Sequence, residues 1–390
     1  MSSHYIEKGK EPVRRIAFIY HRFYDGDGNQ IVIGGIETYV QRLFVLVARI
    51  GFQPILFQSA RVPFERNLGK AVIYGIPIQN QTLEEQNHLL YEEAIRRVDD
   101  DDVIVFCTEL CSIPTDRKRV ISIQHGIYWD FPQGPPSRWA WFAPQLRARR
   151  SQALLVKRAQ RLFDNCDNRV CVDYNFFNWY RATHGAEVSG NVWVIPNYCC
   201  PAPEDQLSRR NSETTRVLFA RRFEIYRGTR VIADAIAKVL SKKTDITFTF
   251  AGEGPEFSYL AERFEGRPKV EFTRYMSDQS VEFHLKHDIA VVPSLGSEGT
   301  SLSVAEAMGA GCAVVASAVG GITNMILDGY NGLLVNPVAE EFVEAILRLA
   351  DDKSLRQRLA SNGYRTAIEC FSASQWDERW KQVLDRVVAS

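Results

Sequence analysis

No stretch of this 390-residue chain approaches 18 consecutive apolar residues, so nothing in it reads as a bilayer-spanning helix. A signal-peptide pattern is also missing: after Arg14–Arg15 the apolar run from Ile16 to Tyr20 is ended at once by His21 and Arg22. Net charge is absent, because 47 basic residues cancel 47 acidic ones. A zero total argues against a nucleic-acid partner. None of the eight cysteines forms a CxxC pair, and several lie in apolar, strand-like runs such as 105–107. That pattern fits buried, reduced thiols of a cytoplasmic protein better than a disulfide frame or a zinc site. What remains, 45% apolar and 24% charged residues, is the balance of a folded, water-soluble chain long enough for two or three domains.

Short apolar runs alternate with segments of helical period. Strands are expected at 15–21, 55–58, 71–74, 103–107, 120–124, 170–172 and 192–195, most of them β-branched and apolar throughout, as in strands covered on both faces. Val40, Leu43, Phe44 and Val47 give a helix one apolar stripe that Gly51 ends. Residues 199–215 are polar and carry two prolines, which suits a linker. The alternation then resumes, with strands expected at 217–220, 246–251, 270–272, 289–293, 313–317 and 333–335, a helix over 229–240, and helices from about 340 to 388. This is an α/β chain of two doubly wound, Rossmann-like domains, whose strand ends would face a shared cleft. The expected division is 1–198 and 199–373, with a C-terminal helix of about 374–390, carrying Trp376 and Trp380, packing back on the first domain.

Three segments after strands of the second domain carry the chemistry. Arg222 and Arg227 flank one tight loop before a helix, where guanidinium forks and free N–H groups attract phosphate; a solvated basic loop is the alternative. Gly252, in Ala251-Gly252-Glu253-Gly254-Pro255, would let a ligand approach the backbone. In Glu298-Gly-Thr-Ser-Leu-Ser-Val-Ala-Glu306, the first acid precedes a small-residue helix start and the second lies inside the helix. Ser303 and Glu306 also have the spacing of a capping box, which would give the second acid a structural role. An anion site beside a carboxylate that accepts from hydroxyls describes a nucleotide sugar.

The seven residues between Glu298 and Glu306 reproduce the E-x7-E signature of retaining GT-B glycosyltransferases, and the chain most resembles glycosyltransferase family 4. Further matching pieces fall in the family's order: Gly34-Gly35-Ile36-Glu37, Gln124-His125-Gly126, Ile195-Pro196-Asn197, Arg222 to Arg227-Gly228, Gly252 to Pro255, Val319-Gly320-Gly321-Ile322 and Asp328 to Val335. The resemblance implies a GT-B fold and a nucleoside-diphosphate-sugar donor held by the second domain. By position it implies Arg222 and Arg227 on the diphosphate, Glu306 on the ribose hydroxyls, and Glu298 on the sugar hydroxyls with the amides of Thr300 and Ser301. Gly34 and Gly35 would close on the diphosphate, and His125 would lie beside the transferred sugar. It implies a hexosyltransferase that retains configuration without a protein nucleophile, acting on a saccharide or lipid-linked saccharide in bacterial surface polysaccharide assembly. Two departures stand out: the usual lysine is Arg227, and a frequent glutamate is Asn324.

No cofactor and no metal are expected. Asp25-Gly-Asp27 reads as a turn and Asp99 to Asp102 as a solvated loop before a strand, while the arginines already supply positive charge. The 138–161 segment is basic, lacks any acidic residue and follows a run of aromatics. It suits an anionic membrane surface at the cytoplasmic inner face, or else a solvated helix beside a packed loop. Phe176, Phe177, Trp179 and Tyr180 read as packing. Two other functions fit the donor site alone: a GT-B-shaped sugar-nucleotide isomerase, and a binding protein without turnover.

Overall fold

The computed structural model describes residues 14–32, 34–130, 144–185, 187–207, 214–275, 279–296 and 298–390, with the side chains of 144–151 outside that set. An eight-stranded sheet contains β1 (Arg15–Ile19), β2 (Gln53–Ala60), β3 (Phe64–Leu68), β4 (Ala71–Pro77), β5 (Val103–Phe106), β6 (Val120–Gln124), β7 (Asn168–Cys171) and β8 (Asn191–Val194), in the order β3-β4-β2-β1-β5-β6-β7-β8. Its helices are α1 (Gly35–Arg49), α2 (Leu83–Ile95), α3 (Pro144–Phe163) and α4 (Tyr174–His184). After the short α5 (Glu204–Leu207) comes a six-stranded sheet of β9 (Thr215–Ala220), β10 (Ile246–Ala251), β11 (Val270–Thr273), β12 (Ile289–Val292), β13 (Ala313–Ser317) and β14 (Leu333–Val335). Helices α6 (Thr229–Lys242), α7 (Phe257–Arg263), α8 (Ser280–His284) and α9 (Leu302–Gly309) connect these strands, and α10 (Ala339–Asp351), α11 (Lys353–Phe371) and α12 (Ala373–Val388) close the chain.

Both faces of the second sheet are covered, which explains why its strands are apolar throughout. On β12, Ile289 and Val291 pack with Ile232, Ile236, Phe342 and Ile346, while Ala290 and Val292 pack with Val304 and Met308. All of its strand pairs are parallel.

The strand β3 was not expected. It is polar and largely exposed, and it folds back antiparallel on β4 through backbone pairing. Phe64 anchors it, its ring lying over Gly28 and Gly75, and Arg66 Nε donates to the Gly28 carbonyl at 2.8 Å.

The first compact unit holds residues up to Ile123 with Leu162–Arg169 and Leu384–Ser390; the second holds Gln124–Arg161 and Val170–Val383. A division at 198 therefore falls inside the second unit. Thr300 Oγ1 donates to the Val172 carbonyl, and Asn197 Nδ2 donates to the Thr300 carbonyl at 2.6 Å, tying the 170–198 stretch to later residues. The linker expected at 199–215 is also partly fixed. The Cys199 amide donates to the Phe371 carbonyl at 2.8 Å, and Ala202 to Gly309 at 2.9 Å, before α5 and then β9 from Thr215.

Other expectations meet the structure one by one. Six cysteines are buried and all eight are free, but Cys200 and Cys370 are exposed. Phe176 and Tyr180 are buried on α4, with Trp129 packed on Phe176 and Trp179. The aromatics and cations at 131–143 lie outside the described residues, as do the side chains of Arg147, Arg149 and Arg150. Among the described residues, no helix is long and apolar enough to cross a membrane.

Candidate active site

In the six-stranded sheet, β10 and β11 extend to one side of β9 while β13 and β14 extend to the other side of β12. Loops leaving the C-terminal ends of β9 and β12 therefore diverge, and such a switch point is where open α/β sheets receive ligands. The β9 loop brings Arg221 and Arg227; the β12 loop brings Ser294 and Glu298.

Three of these side chains converge on one oxygen of the fourth, Glu298. Arg221 Nη2 donates to Glu298 Oε1 at 2.5 Å, Arg227 Nη1 donates to the same atom at 2.6 Å, and Ser294 Oγ donates to it as well. Arg221 Nη1 also donates to Ser294 Oγ at 2.8 Å. The side chains of Arg221 and Glu298 are 5% and 8% exposed, whereas Arg227 keeps 33%, enough to reach a ligand. Burial alone would push the Glu298 carboxyl up; the two guanidinium groups and the serine hydroxyl outweigh it and hold the group well below the usual carboxylate range.

Arg222 stands elsewhere. Its side chain is 61% exposed and its Nε pairs with Glu224 at 2.8 Å, so the cation that joins Glu298 from this strand end is Arg221. Alternation explains the exchange: neighbouring residues leaving a strand point to opposite sides, and only one of two adjacent arginines can turn inward. The space beside Gly252 is filled by protein rather than left to a ligand, since a Cβ there would lie 2.3 Å from the Arg221 carbonyl oxygen. This glycine seats the β10 loop against the backbone that carries Arg221.

Glu306 is the fifth residue of α9, whose N-cap is Ser301. A capping box needs its acid at the third position, so that structural role falls away. Burial pushes its carboxyl up to about 7, and the Ser280 hydroxyl opposes the rise. Ser303 turns to the Ala220 carbonyl at 3.4 Å. Thr300 and Ser301 are buried at the start of α9.

His125 follows β6 and is partly exposed; its carbonyl oxygen lies where a Cβ on Gly299 would be only 2.8 Å away. Gln124 fixes this bend, its Oε1 accepting from the Gly126 amide at 3.0 Å and its Nε2 donating to the Gly126 carbonyl at 2.6 Å. Within the second unit, then, the His125 loop, the Glu298 loop and the start of α9 come together. Gly34 and Gly35 lie in the first unit, Gly34 as the N-cap of α1. Any Cβ on Gly34 would meet the carboxylate of Glu37, which accepts from Tyr20 Oη at 2.7 Å.

Neither acidic run is arranged as a ligand set. Asp25 Oδ1 accepts from the amides of Asp27 and Asn29 at 3.2 and 2.8 Å, as a turn aspartate does. Asp102 is buried rather than solvated, accepting from the Arg15 amide at 2.6 Å and the Asp99 amide at 2.9 Å.

A buried acid clamped by two arginines at a switch point, with a second acid eight residues on, all lie within one matched stretch. Residues 203–366 match the family of glycosyl transferases group 1. The lipopolysaccharide 1,2-N-acetylglucosaminetransferase of Salmonella typhimurium is 24% identical over 271 residues, covering 62% of this chain and 70% of that protein. Two other curated relatives, 32% and 31% identical, align over 153 and 164 residues, so the chain spans about two-fifths of their length. Among solved structures, sucrose-phosphate synthase from Thermosynechococcus elongatus superposes with a TM-score of 0.73 at 18% identity, over 96% of this chain and 99% of that one. HepE of Anabaena, solved with UDP and glucose, gives 0.67 at 15% identity, over 96% and 100%. This likeness shows the fold: two Rossmann-like units of the GT-B type, as the resemblance implies.

Proposed function

We propose that this chain is a retaining glycosyltransferase. It transfers a hexosyl group from a nucleoside-diphosphate sugar to a hydroxyl of a saccharide or lipid-linked saccharide, in the assembly of a bacterial surface polysaccharide. The observation that carries this reading is the convergence of Arg221, Arg227 and Ser294 on Glu298 Oε1. It is supported by the match to glycosyl transferases group 1, by a relative named for lipopolysaccharide and by a fold neighbour solved with UDP and glucose.

All three bonds to Glu298 use Oε1, so Oε2 is the atom offered to a hydroxyl of the donor sugar. Arg221 stays buried and fixes the carboxylate. Arg227, with a third of its side chain exposed, turns to the diphosphate and neutralises the charge that grows as the glycosidic bond to phosphate breaks. Glu306 accepts from the ribose hydroxyls. His125 stands beside the sugar and hydrogen-bonds a hydroxyl or the developing charge. The leaving phosphate oxygen takes the acceptor proton on the same face, so configuration is retained without a protein nucleophile. Positioning and electrostatics supply the catalysis, and the guanidinium groups supply charge that a divalent metal would otherwise bring. The exposed cations Lys157, Arg158 and Arg161 on α3, with exposed Leu154, suit the inner face of a membrane carrying a lipid-linked acceptor.

The test is a panel of UDP-, GDP- and ADP-sugars with and without saccharide acceptors, read as nucleotide release. Acceptor-dependent release with an α-linked product from an α-linked donor is expected. Sugar conversion without acceptor would identify an isomerase, and tight binding without release a non-catalytic protein.

A further inference from the structure

In the eight-stranded sheet β1 lies between β2 and β5, with β4 beyond β2 and β6 beyond β5. Loops leaving the C-terminal ends of β1 and β5 therefore part at a switch point of the first unit's own. His21 follows β1, Cys111 follows β5, and Asn87 comes from α2. These three side chains form one line of polar contacts. Cys111 Sγ lies 3.4 Å from His21 Nδ1, and His21 Nε2 lies 2.6 Å from Asn87 Oδ1. Asn87 Nδ2 donates to the Leu110 carbonyl at 2.8 Å, which leaves the amide oxygen toward the ring. That oxygen can only accept, so Nε2 carries a hydrogen and, in the neutral ring, Nδ1 keeps its lone pair facing the sulfur. Thr108 Oγ1 stands 3.3 Å from the same sulfur.

We infer that Cys111 is a reactive thiol, activated by His21 and oriented through Asn87, which hydrogen peroxide oxidises to the sulfenic acid. The groups around the sulfur suit both of its charge states. As a thiol it donates to Nδ1 and accepts from Thr108; as a thiolate it accepts from Nδ1–H and from Thr108, so the proton crosses without moving a side chain. A cysteine, a histidine and a side-chain amide in this order are the parts of an activated sulfur nucleophile. Burial alone would lower the His21 imidazolium; Cys111 and Asn87 outweigh it and hold the group above its ordinary value. Elsewhere burial pushes the Cys107 thiol well up and the Cys166 thiol up to about 12, which keeps both protonated and inert. In the step itself the thiolate attacks one peroxide oxygen: the S–O bond forms as the O–O bond breaks, sulfur is oxidised and the peroxide reduced. The departing hydroxide takes the proton from His21 Nδ1 and leaves as water. Cys111 has no exposed surface while His21 is partly exposed, so the approach runs along the imidazole and suits a reagent little larger than water.

The experiment treats the full chain with hydrogen peroxide at pH 7, traps sulfenic acid with dimedone and follows each cysteine peptide by mass spectrometry. Cys111 is expected to be modified at least about tenfold faster than the exposed Cys200 and Cys370, because an ordinary thiol is only a few per cent ionised at that pH. His21→Gln, its fold checked by thermal unfolding, is expected to slow the oxidation of Cys111 by at least about tenfold. Trapping at Cys200 and Cys370 ahead of Cys111 in the wild type overturns the inference, and this comparison needs no variant to fold. Equal oxidation of Cys111 in the wild type and in folded His21→Gln overturns it too. Both measurements read the sulfur directly, so neither result bears on the glycosyl transfer proposed above.

Discussion

Gly228 packs against the carbonyl of Pro293 so closely that a Cβ on it would sit 1.7 Å from that oxygen. Its φ of 78° adds a left-handed conformation that side chains rarely adopt. The two loops that carry the arginines and Glu298 are therefore held together by a missing side chain. Gly228→Ala is expected to lower stability by more than about 2 kcal/mol, since neither the backbone nor the carbonyl can move aside cheaply. Thermal unfolding reads this directly, and an unchanged melting temperature would contradict the packing.

Adjacent arginines at 221 and 222 should behave very differently. Arg221→Ala removes a buried partner of Glu298 and is expected to lower kcat/KM at least about tenfold, equivalent to about 1.4 kcal/mol. It should also cost stability, because a buried carboxylate loses one of its two cations. Arg222→Ala removes an exposed side chain paired with Glu224, and its kcat/KM should stay within about twofold of wild type. Equal losses in both variants would mean that Arg222 turns inward when donor binds.

Asp173 makes stability depend on pH. Its Oδ1 caps α4 through the Phe176 amide at 3.0 Å, while burial pushes its carboxyl up to about 6 despite that bond. A folded-state value above the unfolded one means the stabilising contribution is complete below about pH 4 and is lost as pH rises through 6. Asp173→Asn keeps an N-cap acceptor and removes the charge. The variant should melt a few degrees above wild type at pH 8 and level with it at pH 4. A constant gap across pH would show that the carboxyl is not the cause.

The basic stretch of α3 gives a simple binding test. Neutralising Lys157, Arg158 and Arg161, all exposed, together with Arg147, Arg149 and Arg150, is expected to abolish co-sedimentation with anionic liposomes. At about 1 kcal/mol per cation near such a surface, six changes far exceed a detectable loss. Undiminished co-sedimentation would remove the membrane from the proposed function.

Most of the second unit was legible because burial on both faces makes its strands uniformly apolar; 246–251, 313–317 and 333–335 coincide with β10, β13 and β14. The polar hairpin strand β3 was not legible, since its pairing uses backbone groups and one aromatic ring over two glycines. Motif spacing located the Glu298 and Arg227 loops, but it selected Arg222 where the strand's alternation turns Arg221 inward. The run Asp99 to Asp102 looked solvated because composition cannot reveal that Asp102 caps two backbone amides.

Thr300, at the mouth of α9, is gripped by the carbonyl of Val172 and the amide of Asn197, both far upstream. Limited proteolysis within the proline-containing stretch after 199 would therefore not release an intact second unit. A fragment beginning there leaves behind the clasp on Thr300, and one meant to stand alone must start ahead of residue 170.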